Sequence, residues 1–250
     1  MEQTKGCRLL LFPLPLQGHI NPMLELAQIL YSKGFSITII HSTFNSPNSS
    51  NYPHFTFYSF PDGLSQTESS ASDLLQFITL LNTKSVKPFR ECLTKLLSDA
   101  SDDPFACLIS DAICYFTQAV AKSLGLPRIV LRTSGLSSFL VFAAFPLLRE
   151  KSYFPVQDSR LEESVQELPP LRVKDLPVIN TKENEEYHNV LCNLVNETMA
   201  SSGVDWNSFE ELESSALQKL GQKFSIPMFP IGPFHKYFPS GSSCYLFNPR

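Results

Sequence analysis

The stretch Leu9-Leu-Leu-Phe-Pro-Leu-Pro-Leu-Gln-Gly-His-Ile-Asn-Pro-Met-Leu-Glu-Leu-Ala27 decides the fold. Leu9 to Phe12 is an unbroken apolar run, the pattern of a strand buried on both faces of a parallel sheet. Pro13, Pro15 and the polar Gln17-Gly18-His19 end it. Asn21-Pro22 reads as a helix start, with Asn21 as N-cap and Pro22 at the first helical position. Leu24, Ala27, Ile29 and Leu30 give that helix an apolar face, and Gly34 stops it. Ser36 to His41 then reads as a second strand. Strand, helix, strand in about 35 residues is the βαβ unit of a parallel sheet.

The alternation continues outward. Phe55 to Phe60 reads as a third strand, and Ser72 to Ser98 as helix interrupted near Pro88. Phe105 to Ser110 is a fourth strand, Tyr115 to Ser123 a helix stopped by Gly125, and Arg128 to Thr133 a fifth strand. Gly135 to Lys151 is a long apolar helix. Phe154 to Asn180 carries Pro155, Pro169, Pro170 and Pro177 and reads as a surface excursion. Helix over Glu183 to Ser201, strand over Gly203 to Phe209, acidic-headed helix over Glu210 to Gly221 and a short strand over Met228 to Ile231 complete the series. Six or seven strands separated by helices predict an α/β fold, a doubly wound parallel sheet.

Composition narrows the function. The chain has 250 residues, a net charge of −4 and 43% hydrophobic residues, which suits a globular domain with a large core. Its ten glycines are so sparse that the closest pair, Gly232 and Gly241, stand nine positions apart. That spacing excludes GxGxxG, GxxxxGK[ST] and GxSxG, so no dinucleotide fingerprint, Walker loop or nucleophile elbow is present. No basic stripe appears, which argues against nucleic acid as a partner. The six cysteines are scattered without a CxxC pair and read as free thiols of a reducing compartment. The five histidines form no HxxxH pair, and no metal site is expected. The Leu9–Leu16 run is too short and too broken for a secretory signal, and Phe139 to Leu148 is too short to span a bilayer. The expectation is a cytoplasmic protein with no stable membrane insertion.

With a strand order 3-2-1-4-5, strands one and four are neighbours and their carboxyl ends open the crevice where such sheets bind ligands. His19 follows strand one and Asp111 follows strand four. A carboxylate holding the Nδ1 proton of a histidine fixes its tautomer and frees Nε2 as a base. The same residues admit a structural reading, Asp111 as a helix cap and His19 as partner of a loop carbonyl. Gly18, just before the helix start, permits close approach of a negative group such as a phosphate, or serves only a tight turn. Thr133 and Ser134, at the end of strand five, present hydroxyls to a polar ligand or to the next helix. Phe12, Leu16, Gln17, Phe116 and Phe139, with Phe142, are candidate walls of a pocket for a flat or greasy molecule.

These residues also carry a family resemblance. Phe12 to Ala27 resembles the opening of plant family 1 UDP-glycosyltransferases. Tyr31-Ser-Lys-Gly-Phe-Ser-Ile-Thr-Ile-Ile-His41, Asn51-Tyr-Pro-His-Phe-Thr-Phe57, Leu108-Ile-Ser-Asp-Ala112 and Ala200-Ser-Ser-Gly-Val-Asp-Trp-Asn-Ser-Phe209 resemble the branch that includes cytokinin and steviol-glycoside glucosyltransferases. Ile231-Gly-Pro-Phe234 is similar to the family's approach to its interdomain linker. The resemblance implies the N-terminal Rossmann-like half of a GT-B fold, with acceptor binding in residues 1–239 and a divergent tail over 240–250. It implies His19 and Asp111 as the catalytic pair, and Gly18 and Thr133 as contacts to the donor's phosphate or sugar. The implied reaction is inverting transfer of a sugar, glucose first among candidates, from a UDP-sugar to a small hydrophobic or aromatic metabolite. UDP-sugar is then a co-substrate, and no cofactor is implied. Family members are about twice as long, and the donor half is missing here. The chain is therefore expected to bind UDP-sugar weakly and to be weak or inactive alone. The alternatives are a non-catalytic acceptor-binding or regulatory half-enzyme, or the product of a damaged gene.

Overall fold

The computed structural model describes residues 7–64, 74–99, 103–177 and 184–238. Seven strands, β1 (Arg8–Phe12), β2 (Ser36–Ser42), β3 (Thr56–Phe60), β4 (Phe105–Asp111), β5 (Arg128–Arg132), β6 (Gly203–Trp206) and β7 (Met228–Pro230), form one parallel sheet in the order β3-β2-β1-β4-β5-β6-β7. The order turns at β1, whose neighbours β2 and β4 wind away in opposite directions. This is the expected doubly wound α/β architecture.

Among the described residues seven α-helices pack on the faces: α1 (Gln17–Ser32), α2 (Leu74–Lys84), α3 (Val86–Asp99), α4 (Phe116–Ser123), α5 (Leu136–Glu150), α6 (Asn184–Met199) and α7 (Glu210–Lys223). Strand alternation sorts the core. Leu9, Leu11, Ile37, Ile39 and Ile109 point to the α1 face, where Met23, Leu26 and Ala27 meet them. Leu10, Phe12, Ile40 and Leu108 point to the other face, against Phe77, Phe89 and Val120 of α2, α3 and α4. Further along that face, Val130, Val204 and Trp206 pack on Phe139, Leu194 and Leu220 of α5, α6 and α7.

Three sequence expectations change. Helix α1 starts at Gln17, a turn before Asn21-Pro22, and Pro22 lies inside it. The Asn21 side chain is engaged by Gln17 Nε2, so it does not cap the helix. The 72–98 helix is two helices parted at Ser85, with Pro88 in the first turn of the second, where a missing N–H costs nothing. Ser72 and Asp73 lie outside the described residues. The Pro-rich stretch is more than a surface excursion. Tyr153, Val165, Leu168, Val173 and Leu176 pack with Val141 and Leu148 of α5 as a satellite core. Its end at Asn180, the start at Glu183, Cys244, the expected boundary at 239 and the 240–250 tail fall outside the described residues. Among the described residues no helix is long and apolar enough to cross a membrane.

Candidate active site

Three carboxyl ends converge at the switch point: β1 runs into the first turn of α1, β4 ends at Asp111, and β5 runs into Thr133-Ser134. Asp111 belongs to the strand itself, on the same face as Ile109, and this parity aims it at α1. His19 sits in the first turn of α1 rather than in the loop expected from the sequence. The two residues, 92 positions apart, meet with His19 Nδ1 2.7 Å from Asp111 Oδ2. The His19 side chain is 22% exposed and Asp111 1%. The second Asp111 oxygen accepts the Ile113 N–H at 2.9 Å, so both oxygens of the buried carboxylate are occupied.

Burial alone would lower the pKa of His19. The hydrogen bond and the charge of Asp111 outweigh it, and nearby Arg132 opposes them, so the net shift is upward from 6.5. A neutral His19 donates its Nδ1 proton to Asp111, leaving Nε2 as the basic atom. Thr133 Oγ1 stands 3.4 Å from the same Nδ1. That proton is already committed to Asp111, so the Thr133 hydroxyl keeps its own proton for another acceptor.

A cavity of about 480 Å³ opens beside this pair. Its polar wall holds His19, Asp111, Arg132, Thr133, Ser134 and Ser138. Its apolar wall comes from α2 (Leu75, Ile78), α5 (Phe142) and α6 (Val190, Leu191, Leu194), together with Ile113. One end can thus make directed hydrogen bonds while the rest takes an apolar body.

The structure sorts the remaining candidates. Phe12 and Phe116 do not line the cavity. Alternation along β1 turns Phe12 to the α3 face, where it packs on Phe60 at 5.7 Å and Phe89 at 4.8 Å, and Phe116 joins that cluster 5.4 Å from Phe89. Phe139 is core as well, edge-on to Trp206 at 5.3 Å. Leu16, the N-cap of α1, packs against the Phe12 cluster, and Gln17 is exposed. Gly18 has no positive φ, and a Cβ there would meet open space, so neither the turn nor the packing of this chain requires glycine. Ser134 and Phe142 do line the cavity.

Sequence reading missed Arg132 and the whole contribution of α2 and α6. Arg132 had one signal: Arg128 and Arg132 are charges four apart in an apolar strand, hence on one buried face. A second missed residue is Glu213. Its buried carboxylate accepts from Leu136 N–H, Ser137 N–H, Ser137 Oγ and Ser208 Oγ at 2.7–3.1 Å, and so caps α5 from another helix. Gly135 is glycine for that reason, since a Cβ there would lie 2.1 Å from Glu213 Oε1.

No family model matches the chain. It is 47% identical over 236 residues to UDP-glycosyltransferase 76B1 of Arabidopsis thaliana, covering 94% of this chain and 52% of that protein. It is 42% identical over 258 residues to UDP-glycosyltransferase 76G1 of Stevia rebaudiana, covering 97% and 54%. Among solved structures, Phytolacca americana UGT2 complexed with UDP-2fluoro-glucose and pterostilbene matches with a TM-score of 0.77 at 23% identity, over 97% of this chain and 56% of that one. The chain spans about half the length of the curated relatives it matches. In sequence and in parallel-sheet fold the chain matches about half the length of the plant UDP-glycosyltransferases and of their GT-B structures, which is consistent with an N-terminal half.

Proposed function

We propose that these residues form the acceptor-binding half of an inverting, UDP-sugar-dependent glycosyltransferase, with residues 1–239 as the binding unit. The observation that carries the reading is the 2.7 Å contact of His19 with Asp111 at the polar end of an apolar cavity. An acceptor hydroxyl at that end gives its proton to His19 Nε2. Its oxygen attacks the anomeric carbon of the sugar from the face opposite UDP, the bond to the UDP oxygen breaks, and UDP leaves with the electron pair. Asp111, already bonded to Nδ1, stabilises the imidazolium that forms.

The acceptor is a small hydrophobic or aromatic compound, as the apolar walls from α2, α5 and α6 favour. The donor sugar approaches Thr133, and a donor phosphate approaches the open space in front of Gly18 at the amino end of α1, where unpaired amides favour negative charge. A solved relative holding a UDP-sugar analogue and pterostilbene together supports a two-substrate cleft. In this reading the donor is gripped mainly by the part of the relatives that these 250 residues do not span. The chain alone binds acceptor, binds UDP-sugar weakly and turns over slowly or not at all.

Two measurements test this. Calorimetry on the 250-residue protein is expected to show binding of pterostilbene and no measurable UDP release from UDP-glucose. Joining residues 1–238 to the remaining half of the 76B1 relative is expected to restore transfer. In that fusion His19→Ala should lower kcat by about 10²–10⁴-fold, the usual weight of a general base. Transfer that is unaffected by His19→Ala sinks the assignment.

A further inference from the structure

Helix α2 buries Leu75, Phe77, Leu81 and one polar residue, Asn82, which is 5% exposed. Asparagine is a poor choice for a buried helical position. Its helix propensity is low, and a buried amide costs free energy unless it is hydrogen-bonded. A leucine would continue the apolar pattern of the helix.

The Asn82 amide is spent on the turn that follows Asp111. Nδ2 donates to the Ile113 carbonyl at 2.9 Å and to the Ile78 carbonyl of its own helix at 2.9 Å. Oδ1 accepts the Phe116 N–H, the first of α4, at 3.1 Å. No backbone N–H reaches the Ile113 carbonyl among the described residues. Ile113 is therefore held from both sides. Asn82 fixes its carbonyl, and its N–H bonds Asp111 Oδ1, the oxygen that His19 leaves free. Three hydrogen bonds run in series from α2 to His19: Asn82 to Ile113 at 2.9 Å, Ile113 to Asp111 at 2.9 Å, and Asp111 to His19 Nδ1 at 2.7 Å.

The two carboxylate oxygens of Asp111 turn together about one bond. Holding Oδ1 on the Ile113 N–H thus decides where Oδ2 meets the His19 ring. Ile78 and Ile113, whose carbonyls share the one amide, also border the cavity from two different elements, while Asn82 itself does not line it. A fully bonded buried amide of this kind specifies one arrangement of the elements it joins.

We infer that Asn82 is a positioning residue of this site: by clamping Ile113 to α2 it sets the Asp111 carboxylate, and through it the orientation of His19 toward the acceptor. This rests on the acceptor reading above and adds that the α2 wall and the base are held as one unit.

The test is an NMR titration of the His19 ring in the 250-residue protein. Asp111 and Arg132 are the charged groups acting on that ring, and Asn82→Leu leaves both in place, so a change reports geometry. The leucine variant should titrate at lower pH than the unmodified chain, part of the way to Asp111→Asn. In an Asp111→Asn background it should add nothing. Leu148→Ala, a truncation in the satellite core that holds no residue of the turn, should leave the His19 titration unchanged and so separates positioning from general loss of stability. In the fusion with the 76B1 half, Asn82→Leu should lower kcat about 10–100-fold, by a larger factor than it raises KM. If the leucine variant does not fold, hydrogen exchange on the unmodified chain decides, where the Ile113 N–H should open no faster than the Leu81 and Asn82 amides. A His19 titration unchanged by Asn82→Leu, or an Ile113 amide that opens ahead of α2, overturns the inference and leaves the acceptor reading standing. A His19→Ala fusion that transfers at the full rate overturns both.

Discussion

Two arginines four residues apart on β5 share one face of the sheet and one degree of burial, yet they are partnered differently. Burial brings both down from the ordinary arginine value to about 10, offset in part by nearby negative groups. Arg128 spends Nε and Nη1 on the scaffold, and Nη2 alone has no partner among the described residues. Nε bonds Ser110 Oγ at 2.7 Å, and Nη1 bonds the Glu197 carbonyl at 2.9 Å and Gln118 Oε1 at 3.4 Å, which ties β5 to β4, α6 and α4. Arg132 has a single long bond to Ser134 and rests on aromatic faces. One is a structural tie between elements. The other borders the cavity. Residue type, strand and burial are the same, so what separates the two is how many of their donors the protein itself satisfies.

Substitution can break that contrast. The largest effect is expected for Arg128→Met, which removes the donor of the Glu197 carbonyl and leaves the Ser110 hydroxyl only its Thr117 partner, and should cost about 3 kcal/mol in urea unfolding. Next comes the Glu213 cap, an internally satisfied charge. Gly135→Ala drives a Cβ into Glu213 Oε1 and should cost about 2 kcal/mol. Shortening the acid in the double variant Gly135→Ala/Glu213→Asp should recover part of the loss, and a double variant no more stable than the single one would refute the steric cause.

Asp111→Asn acts on the site instead. It removes the hydrogen bond and charge that raise His19, so an NMR titration of the His19 ring should move to lower pH. The linked stability has a definite sign. A raised histidine pKa stabilises the fold fully below 6.5, and that contribution fades as pH climbs through the raised value. The asparagine variant should lose this slope, and an unchanged His19 titration would refute the coupling. The smallest effect is expected for Arg132→Met, about 1 kcal/mol or less, because replacing an unsatisfied buried charge with an apolar chain is often neutral. If it unfolds the protein as readily as Arg128→Met, the contrast between the two arginines fails.

Much of this was legible in the chain because it depends on order and parity. The Leu9–Phe12 run, the turn and the Ser36–His41 strand fix the βαβ unit. The strand order that follows brings His19 to Asp111 across 92 positions. The start of α1 was not legible. Asn-Pro is a strong local start signal, but Gln17 takes the Asn21 side chain and the helix begins a turn earlier. The aromatic pocket walls were not legible either. With 20 phenylalanines, proximity in sequence to a strand end cannot separate Phe142, which reaches the cavity, from Phe12 and Phe139, which point into core. The α6 wall arrives after a Pro-rich stretch with no periodicity to place it.

The proline inside α1 gives the first turn of that helix a second kind of chemistry. Pro22 has no N–H, so the carbonyl of Gly18, four residues back, lacks the donor that an unbroken α-helix would supply it. The turn that offers unpaired amides at its tip therefore also offers a carbonyl acceptor one residue before His19. A helix start broken in this way differs from an unbroken one, which presents donors alone.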